Sequence, residues 1–476
     1  MAFPETPGSP LGELGSRSIS RRDVLKGMAG VAGVVSVPAL LAACSSAATP
    51  APATAPPTSA AGSAAASTPA SAPPSLGGTV HIGSYHTDPG EPEGQKAVDA
   101  AFTAATGIAV KENIVDHSTF QNQITNYLGG TPDTTYTWFS GFRMKFFADK
   151  GFSVPIDDLW ATVKGNFSEG FANSVVGNDG KVYGIPTDYY PWAVFYRKSL
   201  FADKGYTIPA TWDDFKTLCA KMQTDGLTPI AFADQEGWPA MGTFDILNLR
   251  LNGYDFHVGL MAGKEKWTDP KVTAVFQKWA EVTQYQSKDY AGKKWTDAAT
   301  SLLQKKSGMF LLGLFMSSVF QNSSNKDDIK DLDFFPYPTL GTQYDSEAAL
   351  DAPIDTWQMA AKSPYLQTEM DQGKAYLEFW SKGSTQGIFF QHQPGVLPTG
   401  NDADTSTYTD LQKKAVQVVG SAKRITQFLD RDTRSDFAGP DGMQGFLQKW
   451  LANPTQDMTA FQQGIQNFWD HLPPLT

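Results

Sequence analysis

The sequence predicts an α/β protein of at least two domains, on three observations. From Gly77 onward, short strand-like runs alternate with helical patterns closed by glycine, the order expected of a sheet with crossover connections. The chain has 476 residues, more than one core at about 150 residues per domain accommodates. Its 12 tryptophans and 41% hydrophobic residues are enough to fill two cores.

The elements follow in order. Thr79-Val80-His81-Ile82 reads as a first strand, Gln95 to Ala105 as a helix closed by Gly107, and Ile108 to Val115 as a second strand. Ser118-Thr119-Phe120-Gln121 has the spacing of a capping box and opens a helix to Leu128, after which Gly129-Gly130-Thr131-Pro132-Asp133 turns the chain back. Thr211-Trp212-Asp213-Asp214 opens another helix, with Phe215, Leu218 and Met222 on one face. Ala375 to Trp380 and Gln444 to Leu451 continue the helical spacing. Cys219, between Leu218 and Ala220, reads as a small buried apolar residue. There is no internal repeat.

The N-terminal region is different in kind. Ser20-Arg21-Arg22-Asp23-Val24-Leu25-Lys26 resembles a twin-arginine export signal, Gly27 to Ala43 is small and apolar, and Leu41-Ala42-Ala43-Cys44 resembles a bacterial lipobox. The resemblance implies cleavage before Cys44, a lipid on its thiol, and an exported chain anchored at the extracellular face of the cell membrane. Residues 45–75 hold only Ala, Pro, Ser, Thr and Gly; without charge or aromatic they cannot offset the entropy of ordering, so 44–78 read as a disordered tether.

Charge and cysteine content exclude several classes. The chain carries 38 Lys and Arg against 49 Asp and Glu, a net −11, with no block of five basic residues, so nucleic acid is not an expected partner. Two cysteines exclude a disulfide framework and a four-cysteine metal site, and the six histidines lack ligand spacing. No cofactor or metal is expected. The His-Glu-x-x-His, Gly-x-Ser-x-Gly, phosphate-loop and Gly-x-Gly-x-x-Gly patterns are absent. Asp157-Asp158 and Asp213-Asp214 fall at helix starts, where carboxylates offset the helix dipole, and are read as caps. Lys293-Lys294 and Asn325-Lys326-Asp327-Asp328 read as solvated surface.

Gly180-Lys181-Val182-Tyr183-Gly184-Ile185-Pro186, Phe195-Tyr196-Arg197-Lys198-Ser199-Leu200-Phe201, Pro209-Ala210-Thr211-Trp212-Asp213-Asp214-Phe215 and Gly226-Leu227-Thr228-Pro229-Ile230 follow one another in a telling order. Gly308-Met309-Phe310-Leu311-Leu312-Gly313, Phe335-Pro336-Tyr337-Pro338 and Gly395-Val396-Leu397-Pro398 continue it. Together they resemble the extracellular solute-binding proteins of ATP-driven (ABC) importers, in the carbohydrate-binding branch similar to maltose-binding protein, with Arg197 where Asn is usual. The resemblance covers about residues 79–476. It implies a periplasmic-binding-protein-like fold, two α/β lobes joined by a hinge with a ligand cleft between them. Residues 79–189 plus 354–425 would form lobe one, and 190–353 plus 426–476 lobe two. It also implies a monomer that closes on a carbohydrate, an oligosaccharide, and hands it to permease subunits.

Sugars present C–H faces that pack on aromatic rings and hydroxyl rims that need carboxylates, amides and guanidinium groups. Aromatic residues beside polar ones occur where strands should end: Tyr85, His86 and Glu91 after the first strand, Trp138 and Ser140, and Tyr189 and Tyr190 at the first lobe crossing. Glu236 and Trp238 match a lobe-two ligand loop of the resembled family, and Phe315 a position that family fills with a stacking aromatic. Asp355 and Trp357 lie at the second crossing. At the third, Asp430-Arg431-Asp432-Thr433-Arg434 reads by default as an exposed charge ladder, from which Asp432 and Arg434 are the binding candidates. The candidate set contains no catalytic residue, yet the residues leave open a surface glycoside-processing enzyme, whose carboxylate pair need not be adjacent in sequence. They also leave open a receptor for a non-sugar solute.

Overall fold

The computed structural model describes residues 77–474. The twin-arginine segment, Cys44 and the tether up to residue 76 lie outside the described residues. Along the chain the strands are β1 (Thr79–Ser84), β2 (Ala109–Ile114), β3 (Thr135–Phe139), β4 (Gly184–Tyr189), β5 (Trp192–Arg197) and β6 (Thr228–Ala231). They continue with β7 (Ser307–Gly313), β8 (Leu332–Phe335), β9 (Leu350–Asp351), β10 (Ile354–Met359), β11 (Leu397–Pro398) and β12 (Ile425–Thr426).

Two sheets organise two α/β lobes. The larger has the order β11-β4-β10-β3-β1-β2, parallel among β1, β2 and β3 and antiparallel from β3 through β10 and β4 to β11. The smaller has the order β6-β7-β5-β8, and β9 pairs with β12 in a two-stranded ribbon. Strands β3, β4 and β5 are buried at every residue, β5 as an apolar run and β3 and β4 with polar residues among the apolar ones. The edge strand β2 is largely exposed and correspondingly polar.

The first helix spans Glu91–Thr106 and ends on Gly107, whose φ of 73° lets its N–H bond Thr103 O. At its other end Gly90 has φ 93°, and a side chain there would meet His392 O at 2.1 Å, so only glycine fits. Thr211 and Asp214 form the expected reciprocal cap on the helix Trp212–Thr224. That helix buries Cys219, whose thiol is pushed up to about 12 by burial. The helix Asp157–Val163 carries both of its acidic residues in the first turn, and Leu366–Trp380 and Met443–Ala452 contain the two other helical segments expected.

Two local expectations are corrected. The helix His117–Gly129 is capped by Asp116, which accepts from Thr119 N, and not by Ser118, which sits inside the first turn. Asp328 is not solvated surface: it accepts from Arg197 Nη2 at 2.7 Å, while Asp331 accepts from Nε at 2.7 Å, so Arg197 is buried and doubly paired. Among the described residues no helix is long and apolar enough to cross a membrane, and no group of three or more His, Cys, Asp or Glu is placed to hold a metal ion.

Candidate functional site

A cavity of about 660 Å³, its mouth included, opens where strands of both sheets end. Strand ends supply loops that carry side chains without breaking the ladders behind them. One wall comes from the larger sheet: Tyr85, His86, Asp88 and Glu91 after β1, Phe139 at the end of β3, Asp188 near the end of β4 and Asp355 in β10. The other comes from Tyr190 and Trp192 around the start of β5, Trp238 before the helix Pro239–Asn252, and Phe315 after β7. Phe428, Asp430 and Arg431 close the floor.

The aromatic wall is built from ring contacts. Phe315 meets Tyr190 edge-on at 5.0 Å and Trp238 at 5.9 Å, and Trp192 stacks on Phe428 at 4.9 Å and 15°. Phe428 holds a φ of 105°, a conformation that costs a side-chain-bearing residue of order 1–3 kcal/mol. Its stacking on Trp192 and the bonds that Arg431 N and Asp432 N donate to its carbonyl, both 2.8 Å, keep it there.

Arg431 is the cation of the cavity. Its Nη1 donates to Asp355 Oδ1 at 2.5 Å, its Nη2 to Tyr190 Oη at 2.8 Å, and its guanidinium lies 3.9 Å from the Phe139 ring centre. Burial opposes its charge, but Asp355 and its neighbours hold its pKa above the usual value. Burial pushes the Asp355 carboxyl up to about 6, against the pull of Arg431. Asp430 accepts from Gln121 Nε2 at 2.6 Å and from Arg143 Nη1 at 3.3 Å.

Other carboxyls lack such a partner. Asp188 accepts from Thr187 Oγ1 at 2.8 Å, and burial with the neighbouring Asp355 raises its pKa well above the carboxylate range. Glu91 accepts from Asp88 N at 3.0 Å and is raised likewise by burial and by Asp88. Asp88 itself is pushed to about 7 by burial and by Glu236. Burial makes both histidines neutral: His86, 2.7 Å from Gln95 Oε1, falls to about 4, and His117 to about 3.

Of the candidate residues, His86, Glu91, Tyr190, Trp238, Phe315 and Asp355 lie in the cavity wall. The remaining candidates lie outside it, each for a definite reason. Trp138 is fully buried beside Phe139: successive residues of a strand face opposite ways, so Phe139 takes the cavity and Trp138 the core under Arg143. Ser140 donates to Gln427 Oε1 at 2.9 Å. Tyr189 packs on Phe171 at 5.0 Å. Trp357 fills the core against Tyr376 and Trp380. Glu236 accepts from Trp295 N at 3.1 Å and faces Ser118 Oγ at 3.5 Å, a contact between the lobes.

The run 430–434 is not an exposed ladder, because Asp430, Arg431, Thr433 and Arg434 are all buried. Within it Asp432 accepts from Gln427 N at 2.8 Å, and Arg434 turns away to Asp436 and Pro473 O. The members that reach the cavity are Asp430 and Arg431. Asp188, Phe139, Trp192 and Phe428 were missed. The Trp192 signal was available, an aromatic two residues beyond Tyr190 at the same crossing.

Two α/β lobes around an interlobe cavity with aromatic walls and few aimed polar groups define a solute receptor. The chain belongs to the bacterial extracellular solute-binding protein family, matched over residues 86–382. The solved structure of the bacterial solute receptor AcbH, described as having an exclusive preference for β-D-galactopyranose, superposes with a TM-score of 0.78 at 39% identity, over 83% of this chain and 98% of that one. An uncharacterized ABC transporter extracellular-binding protein of Pyrococcus horikoshii is 25% identical over 62% of this chain; the chain spans 65% of that relative's length. The alpha-glucosides-binding periplasmic protein AglE of Rhizobium meliloti is 24% identical over 79% of this chain and 84% of its own.

Proposed function

We propose that this chain is the binding subunit of an ABC importer and holds one pyranose ring, of the β-galactose type, in the interlobe cavity. The single observation that carries this reading is a set of buried polar atoms without a hydrogen-bond partner in the protein, carried by residues of the cavity wall. Tyr85 Oη, Trp192 Nε1, Asp430 Oδ1 and Arg431 Nε all line the cavity and are unmatched; the last two stand 3.7 Å apart, beyond bonding reach. Such atoms cost free energy until a ligand matches them, and a sugar's hydroxyl rim does so while its apolar face packs on Trp238 or Phe315. The buried floor and walls, with the preference described for AcbH, favour one ring over the oligosaccharide expected from sequence.

The lobes divide at 79–189 plus 354–425 and at 190–353 plus 426–476. In support, every strand of the larger sheet falls in the first set and every strand of the four-stranded sheet in the second. The chain acts as a monomer without chemistry on its ligand, is exported, and is lipid-anchored at Cys44, presenting its closed form to permease subunits. A ligand that binds only the closed form shifts the open–closed equilibrium by its differential affinity.

The test is a panel of monosaccharides and oligosaccharides, following melting temperature and sugar composition together. A rise in melting temperature with galactose and unchanged sugars is expected, because a ligand of the native state stabilises it by mass action. Released or altered sugars would identify an enzyme instead.

A further inference from the structure

The cavity has a charge imbalance that hydrogen bonding to a neutral sugar does not require. Asp355 is paired with Arg431, and Asp430 with Arg143. Asp188, Glu91 and Asp88 line the same space, and among the described residues no lysine or arginine stands within ion-pair distance of any of them. His117 Nδ1 is 3.7 Å from Asp88 Oδ2, but burial keeps that ring uncharged. The one guanidinium in the wall already serves Asp355 and Tyr190 and is stacked over Phe139, with only its Nε unspent.

We propose that the cavity sorts pyranoses by charge, admitting neutral sugars and amino sugars and rejecting sugar acids, and that Asp188 and Glu91 impose the selection. The proposal rests on the reading of the cavity as a sugar site. A uronate would bring an anion into a place shielded from water, beside carboxyls and, among the described residues, with no free cation to pair it, where an unpaired charge is strongly disfavoured. An ammonium group would meet Asp188, Glu91 or Asp88 as a salt-bridge partner that the protein lacks. A neutral sugar adds no charge and asks of these groups only hydrogen bonds.

The test is calorimetric titration of the full chain with galactose, galactosamine and galacturonate at neutral pH, repeated on Asp188→Asn and Glu91→Gln. Galactose and galactosamine are expected to bind, and galacturonate to bind at least about 100-fold more weakly than galactose. Each variant should narrow that ratio about tenfold, and thermal melts identify any variant that fails to fold, leaving the other to report. Galacturonate bound within about threefold of galactose in the unaltered chain would overturn the proposal while leaving the sugar reading intact. A ratio unchanged in both variants would overturn the assignment to these residues. Failure of galactose and galactosamine alike to bind would remove the sugar reading, and this proposal with it.

Discussion

Asp188 and Asp355 stand directly opposite one another on β4 and β10, two carboxyls facing across a single rung of the larger sheet. Like charges in that position are destabilising, and the ladder shifts register beside them, with Pro186 opposite Thr356 and Thr187 left over as a bulge. Thr187 Oγ1 bonds both Asp188 Oδ1 and Asp355 O, while Arg431 engages Asp355 alone. Removing the guanidinium would leave Asp355 buried and unpaired. Arg431→Met is therefore expected to destabilise by about 3–5 kcal/mol in urea unfolding, and the double variant with Asp355→Asn by clearly less than the sum of the singles. Additive effects within about 0.5 kcal/mol would show the pair to be energetically inert.

Two tryptophans in similar sequence settings should respond in opposite ways. Trp238 is half-buried at the cavity wall, and Trp238→Ala is expected to weaken galactose binding strongly with little loss of melting temperature. Trp138 is wholly enclosed, and Trp138→Ala should cost about 3–5 kcal/mol of stability while the folded fraction keeps its affinity. Melting curves and titrations on both variants check the contrast.

The positive φ of Phe428 reverses the usual ranking of glycine and alanine. Both substitutions remove the ring that stacks on Trp192 and should weaken binding. Alanine retains the strained backbone while glycine releases it, so Phe428→Gly is expected to be more stable than Phe428→Ala by about 1 kcal/mol. Equal unfolding midpoints would mean that the surrounding loop relaxes in both.

Asp351 gives a signed pH dependence. Burial raises its carboxyl to about 7, with Thr426 Oγ1 bonded to one oxygen and the other unpartnered. Between the unfolded value near 3.8 and about 7 the native group holds a proton that the unfolded chain has lost. Its contribution to stability thus falls as pH rises through that window. Urea midpoints measured at about pH 5 and about pH 8 should drop less in Asp351→Asn than in the parent. Equal drops would show that Asp351 titrates normally. His257, wholly buried and lowered to about 3, acts with the opposite sign, losing stability as pH falls below about 6.5.

What could be read from the amino acids was local. Glycine at the end of the first helix and the Thr211–Asp214 cap depend on neighbours a few residues away, and each has a counterpart in the structure, whereas the aromatic–polar clusters at strand ends reach the cavity only in part, through His86, Glu91, Tyr190, Trp238, Phe315 and Asp355. What could not be read depends on orientation. Trp138 and Phe139 differ only in which way a strand points them, and Asp430-Arg431 differ from Asp432 only in the turn of a four-residue helix, beyond which Arg434 lies. Asp188 was hidden because its place opposite Asp355 arises only when β4 meets β10. Asp116 displaced Ser118 as a cap because the helix starts two residues earlier than its apolar spacing suggests.

Trp192 and Trp238 border the cavity and Trp295 packs edge-on against Phe315 of its wall, whereas Trp138, Trp267, Trp279, Trp357, Trp380 and Trp450 are sealed in the cores. The indoles at the cavity are the ones whose surroundings change when a solute enters. The protein thus carries its own optical gauge of occupancy, readable without a label, and Trp238→Phe would remove the half-buried indole from it.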